Sequence, residues 1–336
     1  MIRSELIEDC SSLESLAYLE LFESLPVLKK NYFNHPYFLF QCLNAFSKTE
    51  PCFLFSVFDD DKLIGFDVFR KTKIKLRGIK ISCLVPVAYK IAEHNMPVVD
   101  SGFYDEFFQQ LSIATKKESV FYHNCTGFFA EFFKKEVKNS FVYSITSNPI
   151  LKDSEDDIYK ASLKKAGVRY LKVLKRSSNV EISHLKDNLR EQLLNFFFEL
   201  HIKRWARQGI ESKFKQDVYK EIYRSLFVLN IPNYGQPVLS YIKSGSEFLT
   251  MHLGFIIGDS FLYQIPALNV DQKYKSSGTI LIKVILDFLV NEKVKVFDMG
   301  YGMEEYKFRY MNDVVNYFTI TRFSNPMLQR IFKIKL

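Results

Sequence analysis

Residues 247–298 read EFLTMHLGFIIGDSFLYQIPALNVDQKYKSSGTILIKVILDFLVNEKVKVFD, and the order of patterns in this stretch decides the fold. Glu247–Ile257 and Ser260–Ala267 are rich in β-branched and aromatic residues and meet at Gly258-Asp259, a strand–turn–strand signal. Upstream, Pro237–Lys243 meets the first of them across Ser244-Gly245-Ser246 in the same way, so three antiparallel strands follow one another. The pattern then changes. Small polar residues at Ser276-Ser277-Gly278 cap a helix carrying Ile280, Ile282, Val284, Ile285, Leu286, Phe288 and Leu289. That helix is apolar nearly all round, with Lys283 and Asp287 as its one polar stripe, which predicts burial. A short buried strand follows at Val294–Phe297.

Working outward, Leu189, Leu193, Phe196, Phe197 and Leu200 form an apolar stripe of helical period that runs into Trp205 and stops before Gly209. A second helix presents Val218, Ile222, Leu226 and Leu229. A further helix, on which Glu304, Tyr306, Lys307 and Arg309 crowd one turn, and a strand at Tyr317–Phe323 close the half. Helices alternating with strands predict an α/β class with a mixed sheet. In the first half, Cys52–Asp59 and Leu63–Phe69 flank the turn Asp60-Asp61-Lys62 as a hairpin, and LIGFDVF there echoes HLGFIIG. The polar stretch LKDSEDDIYK (151–160) reads as a junction, giving domains at 1–150 and 151–336.

The 336 residues suit two domains. With 47% hydrophobic and 25% charged residues, the composition excludes disorder, collagen and simple coiled coil. Five cysteines, all in the first half and without a C-x-x-C pair, argue against a disulfide scaffold or zinc ribbon and for a reducing compartment. No signal-peptide order and no apolar run of about 18 residues is found, so the expectation is a cytoplasmic chain without membrane insertion. Lys plus Arg is 46 against 38 for Asp plus Glu, a net charge of +8. Seven basic and no acidic residues lie between Lys160 and Arg176, interleaved with Leu163, Leu171 and Leu174. That reads as an amphipathic helix, its charge either a solvated face or a local phosphate site. A nucleic-acid partner would need the charge spread over a whole face.

No Walker loop, H-E-x-x-H or G-x-S-x-G elbow is present. The loop Asp271–Thr279 leaves a strand and enters the buried helix at its N-terminus, where free N–H groups and the helix dipole favour an anion. Ser276, Ser277, Gly278 and Thr279 allow close approach there, and Lys273 and Lys275 add charge. The plainer reading is an ordinary capped helix start.

In this order HIKRWARQG, HLGFIIGDSFLYQIPALN, YKSSGTILIKVILDFLV and VFDMGYGMEEYKFRY resemble the acyltransferase domain of the GNAT superfamily, in the branch of CelD-like proteins and two-domain nucleotide-sugar N-acyltransferases. The family pattern falls on His201, Arg204 and Trp205; Gly254 and Phe255; Pro266, Ala267 and Leu268; Ser276–Gly278; Phe297, Asp298 and Gly300; and Glu304, Tyr306 and Lys307. Ser277 stands where the family often has Pro, and Leu268 where it often has Phe. The first half resembles, through KNYFNHPYFLFQCLNAF and LIGFDVFRK, the degenerate partner domain of this branch and of Fem transferases. The resemblance implies two tandem GNAT-like domains with mixed, mostly antiparallel splayed sheets. Acyl-coenzyme A would lie between parallel strands Ser260–Ala267 and Val294–Asp298, touching Pro266–Leu268 and the Ser276–Thr279 loop, with no metal.

The implied activity is N-acyl transfer from acyl-CoA to a nucleotide-linked amino-deoxy sugar, such as a dTDP-3-amino-3,6-dideoxyhexose, for surface polysaccharide. Transfer is direct, because no cysteine falls in the second half. The acceptor amine needs a base. His252, which interrupts an apolar strand, is the first candidate and Asp298 the second; their plain readings are a core histidine and a cap. Arg204, Trp205, Tyr301, Glu304, Tyr306 and Lys307 are the expected acceptor contacts, with His35 and Tyr37 of the first domain. The alternatives are a Fem-like aminoacyl-tRNA-dependent peptidoglycan transferase and a non-catalytic binding protein. The sequence leaves oligomeric state open, a homodimer included.

Overall fold

The computed structural model describes residues 1–8, 13, 15–26, 32–152, 155–177, 179–186, 191–228, 235–271 and 276–333. They divide into two compact units, Met1–Ser147 with Asn316–Leu336, and Asn148–Val315. In chain order the elements are β1 (Ile2–Ile7), α1 (Leu16–Ser24), α2 (Pro36–Phe46), β2 (Cys52–Asp59), β3 (Lys62–Leu76), β4 (Ile79–Pro86), β5 (Val98–Val99), α3 (Tyr104–Ala114), β6 (Val120–Cys125), α4 (Gly127–Glu136) and β7 (Phe141–Leu151). The second unit continues with α5 (Glu155–Ser162), α6 (Lys165–Ser177), β8 (Val180–Leu185), α7 (Glu191–Arg207), α8 (Asp217–Val228), β9 (Gln236–Ser244), β10 (Glu247–Ile257), β11 (Ser260–Leu268), α9 (Ser277–Asn291) and β12 (Val296–Asp298). Strand β13 (Asp313–Arg322) and helix α10 (Pro326–Lys333) close the chain.

The two units repeat one plan. In the first, β1 to β4 form an antiparallel meander, β6 lies parallel to β4, and β13 pairs antiparallel with β6. In the second, β8 to β11 form the meander, β12 lies parallel to β11, and Ile150–Leu151 of β7 pair antiparallel with β12. Each is a mixed, mostly antiparallel sheet with helices, as the sequence implies. The hairpins fall where the turn residues put them: Asp59 pairs with Lys62 and Ser244 with Glu247, and Asp60 and Gly245 take the positive φ of 50° and 60° that two-residue turns require.

Helix α9 is the core of the second unit. Its Ile280, Leu281, Ile285, Leu286 and Leu289 are buried with Val238, Ile242, Phe261 and Phe297 of the sheet. The expected polar stripe is a bonded pair, Lys283 Nζ donating to Asp287.

Four expectations are corrected. The inward stripe of α7 is Leu194, Phe197, Phe198 and His201, while Phe196 is half exposed; an apolar-only pattern skips His201, whose buried ring is fully hydrogen-bonded. The basic segment forms two helices, α5 and α6. The segment after β12 makes only a 3₁₀ turn, Lys307–Arg309, in place of a helix. Asn316–Leu336 belongs to the first unit, whereas the sequence assigns it to the second. Phe323 and Phe332 pack there with Ile74, Phe121 and Phe141, and the Arg322 guanidinium donates to the carbonyls of Ser112 and Glu118. No helix among the described residues is long and apolar enough to cross a membrane.

Candidate active site

Parallel pairing between β11 and β12 covers three residues only: Ser260 with Val296, Phe261 with Phe297 and Leu262 with Asp298. There β12 stops. Strand β11 runs on from Tyr263 to Leu268, paired with β10 alone and with its register shifted at Leu253/Gly254. Beyond Leu262 its other edge no longer has β12 as a neighbour.

Helix α9 begins beside this edge. Ser276 precedes it in the left-handed region (φ 72°, ψ 19°), and its side chain makes no cap. Between helix start and strand edge lies a cavity of about 360 Å³, within the range that holds small ligands. Ser276 to Thr279 and Ile282 line one side, Tyr263, Pro266 and Leu268 of β11 another, and Arg204 from α7 with Tyr306, Arg309 and Tyr310 the rest. Two guanidinium groups and no carboxylate stand among these lining residues, so the cavity favours an anion. Burial pushes the Tyr306 phenol up to about 12 and the Tyr263 phenol far above its ordinary value, with the Glu304 charge adding to both. At neutral pH both are therefore protonated hydrogen-bond donors.

Of the residues singled out in the sequence, Arg204, Pro266, Leu268, Ser276, Ser277, Gly278, Thr279 and Tyr306 come together here. Lys273 and Lys275 lie outside the described residues. Ala267 is buried and does not line the cavity. The others do something different. His252 is wholly buried, its ring stacked on Tyr263 at 4.0 Å, and neither ring nitrogen has a hydrogen-bond partner among the described residues. Burial holds it neutral, and Tyr263 stands on the cavity side, so the geometry gives the first-choice base no path to a substrate proton. Asp298 Oδ1 accepts from Gly300 N at 2.8 Å and fixes the turn in which Gly300 has a φ of 69°.

Lys307 is buried, and its Nζ donates to the carbonyls of Gly300, Tyr301 and Gly302 at 3.2, 2.8 and 3.3 Å while pairing with Glu304 at 2.9 Å. It holds the Gly300–Glu304 loop rather than a ligand. Tyr301 is half exposed. Trp205 Nε1 donates to His201 Nε2 at 2.8 Å. Because an indole N–H only donates, His201 must carry its proton on Nδ1, which reaches Ser212 Oγ at 2.8 Å. The lone Trp is thus a structural strut. His35 caps α2, accepting from Tyr37 N at 3.2 Å, and burial lowers its pKa to about 4; both residues belong to the first unit.

Sequence reasoning missed Tyr263, Ile282, Arg309 and Tyr310 as lining residues. The crowding of aromatic and basic types after Asp298 was the signal for the last two; the first two look like core. No group of three or more His, Cys, Asp or Glu side chains among the described residues is arranged to hold a metal.

Residues 166–308 match the acetyltransferase (GNAT) domain family. A comparison with curated proteins finds no match. Among solved structures, FemX is similar with a TM-score of 0.59 at 10% identity, over 98% of this chain and 100% of that one. L-PGS from Bacillus licheniformis gives 0.57 at 12% identity, over 90% and 96%. A tandem GNAT protein from the clavulanic acid biosynthesis pathway gives 0.56 at 7% identity, over 97% and 99%. At such identities the likeness is one of fold. The splayed strands, the helix start beside them and the family match agree: the second unit has a GNAT-type acyltransferase fold.

Proposed function

We propose that the chain is an N-acyltransferase that takes its acyl group from acyl-coenzyme A and delivers it to the amino group of a nucleotide-linked amino-deoxy sugar. The observation that carries this reading is that β11 runs on past the end of β12 beside the start of α9, with one cationic cavity between them. The residues fit the donor. A diphosphate suits the N–H groups of Ser277–Thr279, and among the described residues a Cβ built on Gly278 would meet only Leu268 Cδ1, at 3.8 Å. The amide-bearing arm suits the stretch of β11 beyond β12, which can take it as an added strand.

When bound, coenzyme A supplies a thioester, whose carbonyl carbon an amine can attack. The chain's own groups then have distinct tasks. Tyr263 Oη and Tyr306 Oη keep their protons at neutral pH, which suits them to donate hydrogen bonds to the sulfur as the thiolate leaves; with a pKa of about 8.5 that thiolate takes its proton from solvent rather than from phenols raised to about 12 or above. No carboxylate lines the cavity, so the amine's proton passes to water, while Glu304, held by Lys307, stays close enough for its charge to act on both phenols. Arg309 and the ring of Tyr310 suit an acceptor carrying phosphate and a sugar. The test is a thermal melt with coenzyme A and acetyl-CoA, then free-thiol release with a panel of nucleotide amino sugars. A melting temperature unmoved by either donor sinks the reading; release with aliphatic amines only would remove the sugar from it.

A further inference from the structure

Lys164 of the basic segment is engaged at the cavity, donating to the Arg309 carbonyl and lying 5.3 Å from the centre of the Tyr310 ring, but the cations of α6 are not. On α6, Lys165, Arg169, Lys172 and Arg176 step by four, three and four residues, which at 100° per residue gathers them into an arc of about 60°. Leu171 and Leu174 on the opposite side pack into the core, so the cationic stripe points away from the protein. Along one flank run Ala166, Tyr170 and Val173, the last two 40% and 55% exposed, and Leu163 just before the helix is 52% exposed. None of the four cations makes an ion pair among the described residues, and no acidic residue occurs between Lys160 and Arg176. A solvated helix face normally mixes signs, because like charges at i,i+4 cost about 0.2–0.5 kcal/mol a pair. Here that cost has no return within the molecule.

We propose that α6 docks on a bilayer surface carrying anionic lipid headgroups. The cations match the negative surface potential, while Tyr170, Val173 and Leu163 enter the boundary between headgroups and acyl chains. The aliphatic flank is what favours lipid over a nucleic acid, whose phosphate backbone offers Val173 and Leu163 nothing to bury. This is lateral docking and leaves the α6 core contacts in place.

Flotation of the whole chain with phosphatidylcholine vesicles, with and without phosphatidylglycerol, tests it without any acyl donor. The expected result is partition to the phosphatidylglycerol vesicles, weakening as sodium chloride is raised. Arg169→Gln and Lys172→Gln should each lower the partition about fivefold, and Val173→Ser should lower what survives at high salt, with melting temperatures unchanged. Absence of partition, partition indifferent to these substitutions, or a gel shift with single-stranded RNA in place of vesicle binding would each overturn the proposal.

Discussion

Arg204 Nη1 donates to the carbonyl oxygen of Pro266 at 2.8 Å, tying the last turn of α7 to the stretch of β11 that has lost β12 as a neighbour. The bond fills one acceptor on the splayed strand and fixes a cation at the cavity wall. Removing it takes the Arg204 bond from that carbonyl and leaves Arg309 as the remaining guanidinium among the lining residues. Arg204→Leu should therefore lower kcat/KM by about 10- to 100-fold, with most of the loss in the KM of the acyl donor. Initial-rate kinetics at varied donor concentration separate the two; a loss confined to kcat would contradict it.

Gly278 offers a cleaner block of the cavity. Its Cβ position is open, so Gly278→Phe extends a ring into the donor's space without crowding the core. The substituted chain should melt within about 2 °C of the parent and show no donor-induced rise in melting temperature. A normal rise would place the donor elsewhere.

Gly254 is the opposite case. A Cβ there would lie 2.6 Å from each of His252 Cε1, the Leu262 carbonyl oxygen and the Phe261 ring, and the backbone contact cannot step aside. Gly254→Ala should destabilise by about 2 kcal/mol or more, read from urea unfolding.

His252→Phe separates core from chemistry. The ring has no hydrogen bond to lose, so turnover should be unchanged and the acid stability should improve. A fall in turnover of about 100-fold or more would return the base role to His252.

Stability against pH follows from burial. His35, His123 and His184 are lowered to about 4, His201 to about 3, and His252 well below its ordinary value, in each case chiefly by burial. Their stabilisation is present above the unfolded pKa of 6.5 and is lost as pH falls below it. Asp67 runs the other way: burial raises it to about 7, so its contribution fades as pH rises from about 4 to 7. At pH 5 the unfolded chain binds five imidazole protons that the native chain refuses, less the one Asp67 keeps. Unfolding should then take up about four protons. Urea titrations between pH 4.5 and 6 give this number from the slope of stability, and a slope near zero would refute it.

The hairpins and α9 were legible because their signals are local: alternating strands around Gly or Asp turns, and an apolar helix behind Ser276-Ser277-Gly278. The cavity was legible only at its helix end. Tyr263 has the same alternating context as any buried strand residue, and whether it meets core or cavity depends on where β12 stops, which no local pattern near Tyr263 records. Lys307 shows the same limit from the other side, since its type advertises a ligand contact while three carbonyls of a tight loop claim its ammonium. His252 interrupts an apolar strand as a functional residue would, yet the missing side chain at Gly254 makes room for it to be swallowed whole.

The pairing of β6 with β13 carries a consequence for biogenesis. Phe318 lies opposite Cys125 and Arg322 opposite Val120, so the two strands are separated in synthesis by the whole of the second unit. Until residues 316–333 have left the ribosome, the β6 edge is bare and open to pairing with other nascent chains. A chain cut after Val315 would keep its cavity residues and still leave that hazard unresolved, so solubility on truncation would fail at the end of the molecule remote in sequence from the defect.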